Sequence, residues 1–223
     1  MKFRSVKLVA PKKLEIFESQ FDILKDDDVL IKVISCGVCS TERSIYEGKN
    51  IGTLGCSYRN KKYPADLGHE ATGEVIEIGK CVKKFSVGDI VSGLTYSSNC
   101  FSEFIKEKEI DLIKIPKTNK EDAKYIILEP IMSTVNILHQ LDIKVGDKAF
   151  IVGDGFMSLL LIAGLSRYPL SELVVVGHHD YKLNLAKNLG ATKIINNTNI
   201  DNKDINEELF EIAKLGFDLS IEY

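Results

Sequence analysis

Four side chains in the sequence are candidate zinc ligands. Cys39 offers a thiolate and His69 an imidazole, and both are good zinc ligands. Glu70 and Glu129 are carboxylates that are able to complete a site left open for water or substrate. A catalytic zinc site keeps one position open, so three protein ligands suffice. The residue types are therefore compatible with a zinc site on Cys39 and His69, with the choice between Glu70 and Glu129 left open.

A glycine turn in the second half of the chain has the features of a phosphate-binding turn. Gly153, Asp154 and Gly155 follow the strand-like run KAFIV and precede an apolar helical stretch. Glycines there let the backbone approach a pyrophosphate near the amides of a helix end. The position of the usual third glycine holds Ser158, which is small enough for close helix-to-strand packing. The candidate cofactor residues of this turn are Gly153, Gly155, Phe156 and Met157; the alternative is a tight turn without a ligand.

The residues after the next strand bear on the choice of cofactor. Units that bind NAD place an acid there against the adenosine ribose hydroxyl, but this sequence has Gly177 followed by His178 and His179. Together with Lys182, the two histidines are able to accommodate a 2′-phosphate. We therefore expect NADP rather than NAD; a solvated pair of surface histidines is the alternative.

The elements that position these residues change character along the chain. Up to about residue 125 the runs VLIKVI, GEVIEIG, DIVSGL and FSEFI predict strands, whereas AKYIILEPIMSTVNILHQL has helical spacing interrupted by Pro130. Thereafter KAFIV, LVVV and KIIN predict strands that alternate with helices, and the Asn- and Asp-rich stretch from Asn196 to Asp204 predicts a loop. We predict an α/β protein with a mostly-β domain over residues 1–145 and a doubly wound parallel sheet over residues 146–223.

Composition excludes several classes of partner. The net charge of −3 comes from intermixed acids and bases, so it indicates no nucleic-acid or membrane surface. No apolar run approaches the roughly 18 to 20 residues that span a bilayer, and charges interrupt the N-terminal stretch where a signal peptide would be apolar. The five cysteines, an odd number, favour thiols or metal ligands over disulfides. We expect a cytoplasmic protein that acts on a small molecule.

Two segments, CGVCSTERSIYEG and GHEATGEVIEIGKCVKKFSVGD, resemble the zinc-containing medium-chain dehydrogenases. With LEP and the glycine turn, the resemblance covers essentially the whole chain. It implies a GroES-like catalytic domain followed by a partial Rossmann domain, with zinc polarising the substrate oxygen while hydride passes between the neighbouring carbon and NAD(P). It also implies Cys39 and His69 as ligands, and its polyol-dehydrogenase branch points to Glu129 or Glu70 as the third.

The same resemblance assigns roles around Cys39. Thr41 keeps the hydroxyl that passes the substrate proton toward solvent, and Glu42 keeps a carboxylate able to orient a metal ligand. Ser44 stands where the family has a relay histidine, which leaves the later proton path open. Many members carry a structural zinc on four cysteines, but only Cys100 lies between Gly88 and Phe104, so we predict one zinc. Cys36 is expected to be structural, and Cys56 and Cys81 are not expected to be ligands.

The resemblance implies an oxidoreductase for an alcohol, a polyol or a sugar derivative. Weaker similarity points to the NADP-linked ribulose-phosphate reductases. Family members continue beyond the strand GFDLSIEY that ends this chain, so an inactive fragment or a non-catalytic scaffold of the same fold is the competing reading. A sheet that stopped after four strands would expose an unpaired edge, so we expect a homo-oligomer.

Overall fold

The fold comes from a computed structural model that describes residues 1–49, 63–95, 99–116, 119–198 and 202–223. Two compact units are present, Met1–Pro130 and Ile131–Tyr223. The predicted α/β class, with a mostly-β first part and a parallel sheet in the second, is confirmed. The functional boundary predicted at residue 145 stays a prediction. No helix in the described part of the chain is long and apolar enough to cross a membrane.

The first unit is built mainly from short antiparallel strands. Its elements are β1 (Lys2–Ala10), β2 (Lys13–Gln20), β3 (Asp28–Cys36), α1 (Ser40–Tyr46), β4 (Ala65–Asp66), β5 (Ala71–Ile78), β6 (Ile90–Gly93), β7 (Phe104–Lys108), β8 (Leu112–Lys114) and α2 (Lys120–Ala123). They form one sheet of order β2-β1-β4 and another of order β7-β3-β5-β6-β8. All four strands predicted in this half are therefore present.

The pairing of β3 with β5 creates the framework for the candidate metal ligands. Buried β-branched residues, including Val29, Ile31 and Val75, fill the core of this sheet, in keeping with their fit to a pleated surface. Cys36 at the end of β3 pairs with Ala71 at the start of β5. Because these two strands run antiparallel, the segment that follows β3 and the segment that precedes β5 lie side by side at one end of the sheet.

The second unit is the alternating part of the chain. α3 (Glu129–Gln140) leads into it, followed by β9 (Lys148–Val152), α4 (Phe156–Leu165), β10 (Glu172–Gly177), α5 (Asp180–Asn188), β11 (Lys193–Asn196), α6 (Asn202–Ile212) and β12 (Leu219–Glu222). The strands are parallel in the order β11-β10-β9-β12. Residues such as Ile151, Leu161 and Val175 bury the sheet against the helices.

Two boundaries differ from the sequence predictions. The helical pattern that begins at Ala123 yields a helix only from Glu129, because Pro130 is well tolerated in a first turn but not inside a helix. The stretch predicted as a loop up to Asp204 already contains the start of α6 at Asn202. Asn and Asp are favoured at helix starts, and for this reason such a stretch does not exclude a helix.

Candidate metal and cofactor sites

Three of the predicted zinc ligands lie together in the first unit. Cys39, His69 and Glu70 each offer a ligand atom, and these atoms all lie within 4.8 Å of one another. His69 and Glu70 are buried, whereas Cys39 is partly exposed. The Nε2 atom of His69 lies 3.9 Å from Oε1 of Glu70. Within the described residues, this is the group of donors that a metal ion fits.

The backbone of the two adjoining segments explains why Glu70 reaches the group. The amide of Gly37 donates to the carbonyl of Glu70 at 3.0 Å, which extends the pairing of β3 with β5 by one step. A Cβ on residue 37 would lie 2.0 Å from Oε2 of Glu70. Glycine at position 37 therefore leaves the space that the carboxylate occupies beside Cys39.

Glu42 holds two of the ligands in place. Its Oε2 accepts a hydrogen bond from the amide of Cys39 at 3.2 Å, and this closes a capping box at the start of α1. Its Oε1 lies 2.6 Å from Nδ1 of His69 and accepts from the amide of Gly68 at 3.2 Å. A carboxylate on Nδ1 fixes the imidazole tautomer and leaves Nε2 for a metal. One buried side chain thus orients both Cys39 and His69.

The charges of the group are strongly coupled. A hydrogen bond with His69 lowers the pKa of the Cys39 thiol, against the opposing effect of burial. Burial by itself lowers the pKa of His69, but its hydrogen bonds to Cys39 and Glu42 outweigh burial and raise the pKa to about 10. Burial raises the pKa of the Glu70 carboxyl. These shifts are those of a thiolate, an imidazolium and a desolvated carboxylate in contact; a divalent cation that displaced the His69 proton would neutralise the thiolate and the carboxylate.

Glu129, the other candidate for third ligand, lies outside this group of three. It is buried at the start of α3, and its charge contributes to the raised pKa of Glu70. Glu129 is therefore a close electrostatic neighbour of Glu70. The geometry favours Glu70 as the third donor.

The proposed relay residues belong to α1. The hydroxyl of Thr41 lies 3.6 Å from the sulfur of Cys39, and Thr41 is partly exposed. Ser44 lies one turn further along and is also partly exposed. Thr41 therefore combines contact with the metal-site thiol and access to solvent, as a first proton acceptor requires.

The glycine turn in the second unit has the expected strand–turn–helix context. Gly153 follows β9 with a φ of +121°, a conformation that favours glycine, and Gly155 is the N-cap of α4. The space beside Gly155 is open, because a Cβ built there would meet nothing within 4 Å. Phe156 is exposed at the first position of α4, and Met157 is partly exposed. The turn thus offers room for an anion at the positive end of a helix.

Ser158 of helix α4, at the position of the usual third glycine, packs closely against the turn after β9. It is fully buried, and a Cβ on Gly153 would lie 3.1 Å from its Oγ. This close contact between helix and strand was predicted from the size of the residue. The hydroxyl has no hydrogen-bond partner within the described residues.

The carboxylate of Asp154 contacts the residues that follow β10, and the sequence analysis did not predict this contact. Asp154, from the middle of the glycine turn, accepts hydrogen bonds from the amides of His178 and His179 at 2.9 and 2.7 Å. Its Oδ1 lies 4.0 Å from Nζ of Lys182. An acid between two glycines after a strand was the available signal, but its partners lie more than 20 residues away in sequence.

Comparisons with known proteins agree with the resemblance seen in the sequence. Residues 25–117 match the alcohol dehydrogenase GroES-like domain. L-threonine 3-dehydrogenase of Pseudoalteromonas atlantica is 26% identical, over 97% of this chain and 68% of that protein. The resemblance of the chain to the medium-chain dehydrogenases is thereby confirmed. It spans about two thirds of the length of this relative.

Solved structures support the fold of the chain. The 2R,3R-butanediol dehydrogenase of Bacillus subtilis superposes with a TM-score of 0.79 at 24% identity, covering 99% of this chain and 70% of that one. A zinc-binding dehydrogenase of Sinorhizobium meliloti, solved with NADP, gives a TM-score of 0.76 at 20% identity, covering 100% and 70%. At these identities the likeness concerns the fold.

The other cysteines that the structure describes, Cys36, Cys81 and Cys100, are not part of the group of three donors. Cys36 packs on the core of the first unit, and a hydrogen bond with Cys100 lowers the pKa of its thiol. Cys100 is buried and Cys81 is exposed. Cys56 lies outside the described residues. The contacts of Cys36 are consistent with the structural role predicted for it.

Proposed function

We propose that this chain carries the metal site and the dinucleotide site of a zinc-dependent, NAD(P)-linked oxidoreductase. The proposal rests above all on one observation, the convergence of Cys39, His69 and Glu70 with Glu42 behind the imidazole. The catalytic domain would comprise residues 1–145 and the dinucleotide domain residues 146–223. The reaction would transfer hydride between the dinucleotide and an alcohol or carbonyl carbon.

The donor set fits zinc. A thiolate, an imidazole and a carboxylate are ligand types of catalytic zinc sites, and three protein ligands leave one position for substrate or water. We assign Cys39, His69 and Glu70 as the ligands, and Glu129 as a neighbouring carboxylate that tunes the charge of Glu70. One zinc ion per chain is expected from this assignment.

Residues of α1 would then transfer the substrate proton and orient His69. Zinc would act as a Lewis acid on the substrate oxygen, and the dinucleotide would exchange the hydride. Thr41 would accept the proton of the substrate hydroxyl at its Oγ1 while it passes its own hydroxyl proton on toward solvent, because Oγ1 contacts Cys39 and the residue is partly exposed. Ser44, one turn further along α1, is the candidate for the next step of the relay. Glu42 would keep His69 in the required tautomer.

The glycine turn is the proposed pyrophosphate site, with Gly153, Gly155, Phe156 and Met157 around it. We further propose a preference for NADP, through His178, His179 and Lys182 beside Gly177. This preference is supported by exposed donors at the end of β10 and by the inward direction of the Asp154 carboxylate. The NADP in the structure of the Sinorhizobium meliloti protein is compatible with it.

We propose a small alcohol, polyol or sugar derivative as the substrate. Two of the similar proteins are named for threonine and for 2R,3R-butanediol, and each of these compounds carries a secondary hydroxyl. A secondary alcohol or the corresponding ketone is therefore the first class to test. A homo-oligomer is the expected assembly.

The test measures zinc content and oxidoreductase activity on the same preparations. The wild-type protein, Cys39→Ser and the control Cys81→Ser would be assayed with NAD⁺ and NADP⁺ and a panel of secondary alcohols, polyols and sugar phosphates. We expect Cys39→Ser to lose both zinc and turnover, and Cys81→Ser to keep both, because Cys81 is exposed and lies outside the donor group. Turnover that survives Cys39→Ser and chelation would contradict the proposal, and zinc binding without any turnover would favour a non-catalytic protein of this fold.

A further inference from the structure

Asp154 and Gly177 compete for the same space at the end of β10. A Cβ built on Gly177 would lie 2.7 Å from Cβ, 2.9 Å from Cγ and 2.8 Å from Oδ2 of Asp154. Distances this short require that one of the two side chains move. While Asp154 holds its position, residue 177 can carry no side chain, and the acid that NAD-binding units place there is excluded.

The carboxylate of Asp154 faces the protein rather than the solvent. Its side chain is only 8% exposed. Oδ2 accepts from the amides of His178 and His179, and the Nδ1 atom of His179 lies 3.0 Å away. These donors stand at the start of α5, where the helix dipole favours a negative charge. The Asp154 carboxylate therefore has its hydrogen-bond partners within the protein and is poorly placed to accept a hydrogen bond from a ribose hydroxyl.

The side chains on the outer side of this loop are potential phosphate donors. His178 is exposed, the side chain of His179 is 51% exposed, and Lys182 follows one turn into α5. The Lys182 ammonium lies 4.0 Å from Oδ1 of Asp154, at the limit of an ion pair. Two imidazoles on the loop and an ammonium on the first turn of α5 are donors that the oxygen atoms of a phosphate are able to accept from.

We propose that Asp154 is the positioning residue that sets dinucleotide specificity. By binding the amides of His178 and His179, it fixes the loop that carries the 2′-phosphate donors and excludes an acid from position 177. This inference rests on the proposed dinucleotide function. It differs from the opposite reading, in which the Asp154 carboxylate itself repels a 2′-phosphate and selects NAD.

Two small probes isolate the 2′-phosphate from the rest of the cofactor. Adenosine 2′,5′-bisphosphate and 5′-AMP differ by that group alone, and calorimetry would give their affinities for the wild-type protein, Asp154→Ala and Asp154→Asn. We expect Asp154→Ala to weaken bisphosphate binding by about tenfold, the size of one charge-assisted hydrogen bond, and to leave AMP binding unchanged. Asp154→Asn keeps an oxygen acceptor for the loop amides and should retain most of the bisphosphate affinity.

The ratio of the two affinities separates positioning from a general structural role. A variant that merely loosens the fold would lose both probes equally, and its melting temperature would fall in parallel. Equal losses, or tighter bisphosphate binding by Asp154→Ala, would overturn the inference. A wild-type protein that binds both probes equally well would also overturn it, while leaving the dinucleotide site itself supported. Binding of neither probe would overturn the proposed dinucleotide function as well.

Discussion

Replacing Glu42 should uncouple the two ligands that it positions. Glu42→Ala removes three contacts at once, to the amide of Cys39, the amide of Gly68 and Nδ1 of His69. Loss of a carboxylate behind a ligating histidine typically weakens metal binding by about 10- to 100-fold, which corresponds to about 1.4 to 2.7 kcal/mol. The two amides that lose their acceptor should lower the free energy of unfolding by about 1 to 3 kcal/mol each.

Glu42→Gln keeps the size of the side chain but removes its charge. In Glu42→Gln the amide oxygen is able to accept from His69 and Gly68, but the amide NH₂ would then face the backbone N–H of Cys39, and two donors would meet. We therefore expect an intermediate loss of zinc affinity, of about tenfold. Glu47→Gln is the matched control, because Glu47 lies at the other end of α1 and pairs with Arg43 and Lys49.

The assay is a competition titration of zinc against a chromophoric chelator, with thermal unfolding of each metal-free variant. The order of zinc affinity should be wild type and Glu47→Gln first, then Glu42→Gln, then Glu42→Ala. Zinc binding by Glu42→Ala that equals the wild type would refute the reasoning, because it would mean that the orientation of His69 by Glu42 is irrelevant to the metal.

Three further predictions concern neighbouring features. Gly37→Ala should weaken zinc binding by about tenfold or more, because the new methyl group would lie 2.0 Å from Oε2 of Glu70 and would force that carboxylate to move. Gly155→Ala is the control, and equal zinc affinities of Gly37→Ala and the wild type would speak against Glu70 as a ligand. Ser158→Ala should raise the free energy of unfolding by about 1 kcal/mol in chemical denaturation, since it removes a buried hydroxyl without a partner; a destabilised variant would reveal a bond that we do not see. Zinc affinity should rise with pH, because the pKa of about 10 for His69 means that zinc must displace a proton; calorimetry in buffers of different ionisation enthalpy would detect that proton, and pH-independent binding would argue against His69.

The sequence predicted those features that depend on local pattern. The strands around VLIKVI and GEVIEIG were recognisable because short apolar segments bounded by Gly, Pro and Asp are typical of strands. Cys39 and His69 were proposed as ligands from the family resemblance, and the glycine turn from its position between a strand and a helix. The orienting role expected of Glu42 agrees with its contact to Nδ1 of His69.

The features that the sequence left open depend on contacts between distant segments. Our proposal of Glu70 rather than Glu129 depends on the pairing of Cys36 with Ala71 and on the space at Gly37, and neither is visible in a linear pattern. The contact of Asp154 with the end of β10 likewise joins residues separated by a strand and a helix. The start of α3 at Glu129 was missed because Pro130 signals a break in one context and a beginning in another.

Zinc K-edge X-ray absorption of the zinc-loaded protein tests the proposed metal site most directly. Coordination by Cys39, His69 and Glu70 predicts one sulfur at about 2.3 Å and a remaining shell of nitrogen and oxygen at about 2.0 to 2.2 Å. The sulfur contribution should disappear in Cys39→Ser and persist in Cys81→Ser. A spectrum of the wild-type protein with no sulfur, or with two or more sulfur atoms bound to zinc, would contradict the site proposed for this chain.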